Sequence, residues 1–168
     1  MIITFTVPGV PVAQPRVKAT RRGNHAGVYT PTKKANGRSN GIAEWKAMVR
    51  KCAADEYQGA PLDGPICVGA CFVFPRQKSC VWKTREMPRY FHVVKPDADN
   101  LFKALADALN GMLWRDDSQV CMAGITKVHA TFDEQPCCVV SVGIPDIALG
   151  WSNLFIKRHE SAKGASDE

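Results

Sequence analysis

No uninterrupted apolar run reaches the 18 or so residues that a membrane-crossing helix needs. The opening stretch, MIITFTVPGVP, lacks the basic head and long apolar body of a secretory leader, so a soluble, cytoplasmic chain is expected. There is also no CxxC pair. The seven cysteines, at positions 52, 67, 71, 80, 121, 137 and 138, are odd in number and sit mostly among apolar neighbours, which suits neither a disulfide framework nor zinc. Cys67 and Cys71 share a strand-like run, and adjacent Cys137 and Cys138 must point to opposite faces of any strand that holds them. Repeats and low-complexity tracts are absent. With 168 residues, 45% of them hydrophobic and 23% charged, the chain has enough apolar surface for one ordinary core.

The most uneven shortage is of acid near the start. Residues 1–51 contain ten Lys and Arg against a single acid, Glu44. That block is +9, the remainder is −3, and the total is +6. A surface built only for solubility mixes its signs. A cationic block beside an acidic one is what a protein needs to grip a phosphate backbone while a few carboxylates hold a metal ion.

Local patterns order the chain. Ile2 to Val7 is rich in β-branched residues and reads as a strand stopped by Pro8-Gly9. A long polar loop follows, carrying Arg16, Lys18, Arg21, Arg22, Lys33, Lys34 and Arg38 with glycines between them, and it has the makings of a hairpin. From Gly41 to about Tyr57, Ile42, Trp45, Met48, Val49, Cys52 and Ala53 recur at helical spacing. Ile66 to Phe74 is a nine-residue apolar run of the kind found in a strand buried on both faces. Residues 76–94 are basic and aromatic and read as a second loop, in which Trp82, Tyr90 and Phe91 are either a stacking surface for unpaired bases or local packing. Asp99 to Met112 is predicted to be a helix ended by Asn110-Gly111, and strands are predicted over 119–132 and 137–143. The tail 147–168 is polar and ends in AKGASDE, too poor in apolar residues to hold a place in a core, so partial disorder is expected there.

Chemistry concentrates between Lys95 and Val120. Asp97 and Asp99 flank a single alanine at the predicted helix start, and Asp116-Asp117 follow the helix end. Carboxylates drawn together repel unless a cation sits among them, and an all-oxygen set favours Mg²⁺ or Mn²⁺. A calcium loop is excluded because Phe102 stands where that loop requires glycine. Lys103 lies one helical turn after Asp99 and shares its face, with Asp107 one turn further. Each feature alone has a plainer reading, since an Asp before a helix is commonly a cap and an Asp-Lys pair commonly a solvated one. A return of Asp117 to the first turn of the helix is the expectation that unites them.

The segment Lys95-Pro96-Asp97, Asp99-Asn100-Leu101, Lys103, Asp107, Leu109-Asn110-Gly111, Asp116-Asp117 and Gln119-Val120 resembles the signature of the RusA-like Holliday junction endodeoxyribonucleases. The similarity runs from the Ile2 strand to about Pro145, which makes 1–146 the expected domain. The resemblance implies a single α+β domain with a mixed β-sheet and two main helices. It implies catalytic residues Asp97, Asp99, Lys103 and Asp117, with Asp97, Asp99 and Asp117 as metal ligands. It also implies Mg²⁺ as cofactor, a homodimer, and cleavage of four-way DNA junctions. Arg16, Lys18, Arg21, Arg22, Lys33 and Lys34 are the expected DNA-binding residues. A protein that binds branched DNA without cutting it, and a nuclease of broader structural taste, are the alternatives.

Overall fold

Nine consecutive apolar or small residues, Ile66–Phe74, form strand β4, the axis on which the other elements are assembled. The computed structural model describes residues 1–33, 37, 39–81 and 87–145. Strands β1 (Ile2–Pro8), β6 (Val120–His129) and β7 (Cys137–Gly143) and the short β5 (Tyr90–Phe91) complete a five-stranded sheet in the order β1-β7-β4-β6-β5. β4 runs antiparallel to β7 and parallel to β6, so the sheet is mixed, as expected of the α+β class. A separate two-stranded ribbon pairs β2 (Lys18–Arg22) with β3 (His25–Tyr29).

Alternation along β4 explains why it can be apolar throughout. Ile66, Val68, Ala70, Phe72 and Phe74 enter the main core. There they meet Ile42, Trp45, Val49 and Ala53 of helix α1 (Ile42–Glu56) and Leu101, Leu105 and Leu109 of helix α2 (Ala98–Leu109). Val73, from the opposite face, packs with Val128 and Ala130 in a smaller cluster edged by Cys71 and Cys137. Burying each large aliphatic side chain contributes about 1.5–3 kcal/mol. Both faces of β4 therefore hold the fold.

The predicted elements fall close to the observed ones, with three differences. α2 ends at Leu109 instead of Met112, because Gly111 adopts a left-handed φ of 72° that turns the chain. β6 stops at His129, short of Phe132. The predicted loop 76–94 contains β5, whose Tyr90 and Phe91 pair with His129 and Val128. The tail 147–168 lies outside the described residues.

The turn from β6 to β7 is held by charge. Glu134 is half-buried, pairs with the Arg89 guanidinium, and accepts the Thr131 N–H at 3.1 Å. The guanidinium beside it is the main reason its carboxyl titrates below the usual carboxylate range. A lowered native value means that the pair stabilises the fold above the unfolded carboxylate value and that this stability is lost as pH falls through the native one. Glu134→Gln is expected to cost about 1–2 kcal/mol at neutral pH. The difference in urea midpoint between variant and wild type should shrink once the pH falls below about 4.

Candidate active site

The acidic segment begins where α2 begins. Asp97 is the N-cap residue of α2, yet its side chain makes no capping hydrogen bond. Its Oδ2 instead accepts from Arg16 Nη2 at 3.1 Å. The carboxylate is thus not used in the way that the plainer sequence reading requires. The loop after β1 is brought there by backbone pairing, Gln14 N–H to the Asn100 carbonyl at 2.8 Å. From the other side, Lys127 of β6 donates to the carbonyls of Val94 (2.9 Å) and Pro96 (2.6 Å). The entry to α2 is clasped between the β1 loop and the sheet.

Asp99 is exposed and touches only the amide of its neighbour Asn100, at 3.3 Å. Lys103, one turn on, is exposed and reaches Asp107 at 3.4 Å. Asp107 also accepts from Lys46 at 3.0 Å, and both side chains of that bridge are half-buried. Asp107, left open by the sequence, therefore joins α2 to α1 through Lys46.

Asp117 stands elsewhere. After α2 the chain turns through Gly111, whose N–H bonds the Trp114 carbonyl at 2.8 Å. Trp114 is fully buried, and its indole N–H donates to Asp117 Oδ1 at 3.0 Å. Asp116 caps the short 3-10 turn Asp117–Gln119, accepting the Ser118 N–H at 2.9 Å. That bond holds the Asp116 carboxyl below its usual range. Gln119 completes the turn: its Oε1 accepts from the N–H groups of Arg115 and Asp116, and its Nε2 donates to the carbonyls of Leu62 and Gly64.

Two rulers measure the separation. α2 has 12 residues, about 18 Å of helix at 1.5 Å per residue. β6 returns along it, and its seven steps from Val120 to Lys127 cover about 23 Å. Asp97 and Asp99 lie at one end of both elements and Asp117 at the other. Among the described residues, no three His, Cys, Asp or Glu side chains form a group that could hold an ion. The expected return of Asp117 to the first turn of α2 does not occur within one chain. The oxygen chemistry of Asp97 and Asp99 suits a hard divalent cation.

The expected DNA-binding residues divide in the same way. Arg16 is at the Asp97 carboxylate. Lys18 and Arg21 project from the exposed ribbon, where Arg21 Nε bonds the Gly23 carbonyl at 3.2 Å; Arg22 is the last residue of β2. Lys33 is exposed and bridges to Ser39, and Lys34 lies outside the described residues, as does Trp82. In the second loop, Arg76 donates to the carbonyls of Ala130 and Pro88 and covers the Tyr90 ring at 4.7 Å. Tyr90 stacks on His129, His129 meets His92, and His92 stacks on Phe74. Tyr90 joins that ring stack while remaining 39% exposed, and Phe91 is 74% exposed. Burial lowers the His92 value, with His129 and Lys127 adding to the effect.

A carboxylate pair thus stands at the entry to α2, and the basic ribbon that follows β1 in the chain is exposed to solvent. The endodeoxyribonuclease RusA family pattern matches residues 8–142, and the chain belongs to that family. It is also 29% identical over 133 residues to the uncharacterized protein YqaN of Bacillus subtilis (strain 168), a match covering 76% of this chain and 88% of the relative. No helix among the described residues is long and apolar enough to cross a membrane.

Gln119 carries four hydrogen bonds, two closing the Asp117 turn and two tying it to the segment before β4. Gln119→Ala is expected to lower stability by about 1–3 kcal/mol. Gln119→Glu should do no better, since it sets a carboxylate against the Leu62 and Gly64 carbonyls. Urea titration of the two variants checks this; a wild-type midpoint for Gln119→Glu would remove the carbonyl bonds from the account.

Proposed function

We propose that this protein is a Mg²⁺-dependent endodeoxyribonuclease that resolves four-way DNA junctions as a homodimer. The observation that carries the reading is the Asp97 carboxylate, left free of helix capping at the entry to α2 in a chain of the endodeoxyribonuclease RusA family. Asp97 and Asp99 offer oxygen donors there, and Arg16 occupies the position of a counter-charge. A bound Mg²⁺ or Mn²⁺ supplies Lewis acidity and an activated water for in-line hydrolysis of a phosphodiester. Lys103, on the face of Asp99, is placed to neutralise charge that builds on the phosphoryl oxygens. Lys18, Arg21, Arg22, Lys33 and Lys34 hold phosphates away from the reacting bond.

The separation of Asp117 from Asp97 and Asp99 is a reason for the dimer. A second copy brings its own Asp117 to the α2 entry of the first and receives the same in return, giving two equivalent sites. Resolution requires two cuts in strands of like polarity, and a two-fold dimer presents two sites to a nearly two-fold substrate.

The first test incubates the purified protein with a labelled mobile four-way junction, a flap and a linear duplex, with and without Mg²⁺. Paired, Mg²⁺-dependent cuts in the junction are expected, whereas equal cutting of all three substrates would leave a nuclease of broader taste. Asp97→Asn and Asp117→Asn should each abolish cleavage and retain junction binding. Mixed together, the two inactive variants should regain single nicks, because one of the two sites in their heterodimer has all its carboxylates; an inert mixture argues for sites built within one chain. Arg21→Ala should weaken binding and reduce the slope of log K against log salt by about 0.9 for the lost phosphate contact.

A further inference from the structure

Lys127 is the one Lys, Arg, Asp or Glu in strand β6. Its register partner in β4 is Phe72, which is buried in the main core, so the Lys127 side chain leaves the sheet on the helix side. From there one residue makes three bonds to the segment that leads into α2. The Lys127 carbonyl accepts the His92 N–H at 2.9 Å, and the ammonium donates to the carbonyls of Val94 at 2.9 Å and Pro96 at 2.6 Å. Residues 92, 94 and 96, alternate along the chain, are thus tied to a single point. Lys127 is half-buried and, among the described residues, makes no ion pair. A charge partly withdrawn from water without an opposite charge is costly to keep, and a neutral donor suffices where a carbonyl needs only to be satisfied. What the ammonium adds is strength, since a bond from a charged donor is about twice as strong as a neutral one.

The last of the three bonds acts on Asp97. A peptide unit is planar, so the Pro96 carbonyl and the Asp97 N–H turn together, and holding one restrains the backbone from which the Asp97 side chain hangs. An Asp at the N-cap is ordinarily located by its bond to the N–H of the second or third helical residue. Asp97 makes no such bond, and its carboxylate meets Arg16 instead. Arg16 is a weak tether, because its side chain is 80% exposed and exposed pairs contribute little in water. The backbone is left to set where the Asp97 carboxylate stands, and Lys127 holds that backbone. We propose that Lys127 is a positioning residue of the candidate active site, fixing the Pro96–Asp97 peptide and through it the Asp97 carboxylate. The inference rests on the proposed function only for what that carboxylate does; the restraint itself is a property of the fold.

The side chain does this without being needed for the core. Leu101, Leu105 and Leu109 hold α2 in the main cluster, and the His92 bond uses the Lys127 backbone, which any residue supplies. The ammonium adds only the two carbonyl bonds. Its removal therefore leaves α2 in place and frees the peptide that carries Asp97. Misplacing a reacting group by about 1 Å costs on the order of a hundredfold in rate, so the effect on chemistry exceeds the effect on folding.

Substitutions of Lys127 in the full chain separate positioning from folding and from DNA contact. Lys127→Met is expected to keep the circular dichroism spectrum and to bind a four-way junction within about twofold of the wild type, while single-turnover cleavage with Mg²⁺ and Mn²⁺ affinity by calorimetry each fall about tenfold or more. Lys127→Arg, which keeps a charged donor, should recover most of both. Glu134→Gln, which weakens the fold at the β6–β7 turn, should leave both at the wild-type level. Should Lys127→Met fail to fold, Lys127→Gln, neutral and shorter by one atom, is read in its place. Wild-type Mn²⁺ affinity without the ammonium overturns the proposal. So does an equal loss in Glu134→Gln, which traces the effect to stability, or a loss confined to junction affinity, which makes Lys127 a phosphate contact. If Mn²⁺ affinity falls as expected while the wild type cuts no four-way junction, the positioning role stands and the proposed function fails; a wild type that binds no Mn²⁺ ends both.

Discussion

The packing of α2 along the parallel pair β4 and β6 decides where every carboxylate of the candidate site stands. Leu101, Leu105 and Leu109 are fully buried against the even-numbered residues of β4, so the helix can neither slide nor rotate without exposing them. Its entry is fixed by Gln14 and Lys127, and its exit by buried Trp114 and the four bonds of Gln119. Asp97 and Asp99 are locked to the first end and Asp117 to the second. The packing that builds the main core thus keeps these carboxylates apart within the chain.

Much of this was legible in the sequence. The nine apolar residues of β4 and the period of α1 and α2 announced the core, because burial on both faces and on one face leaves different patterns. Cys137 to Gly143, expected as a strand, is β7. β5 was hidden because two residues leave no period, and what places Tyr90 is a stack of rings contributed by three distant segments. The acidic residues were found by spacing, yet spacing along a chain is silent about distance in space. A helix and a returning strand of matching length put Asp99 and Asp117 at opposite ends, and only their three-dimensional course reveals it.

Charge showed the same division. The basic block at the start was visible as composition, but what each cation does depends on its neighbours in the fold. Arg16 meets Asp97, Lys46 joins α1 to α2 through Asp107, and Arg76 and Arg89 hold carbonyls and Glu134. The polarity seen in the sequence is thus partly internal bracing, while Lys18 and Arg21 of the ribbon are exposed.

The ribbon itself buries almost nothing: every residue of β3 is exposed, and so are Lys18, Ala19, Thr20 and Arg21 of β2. Two strands without a core beneath them are marginal in water, and the Gly23 turn, at φ 61°, gives register without rigidity. A ligand that engages both strands of such an arm would hold its register as well as meet its charge, and part of the binding energy would go into that ordering.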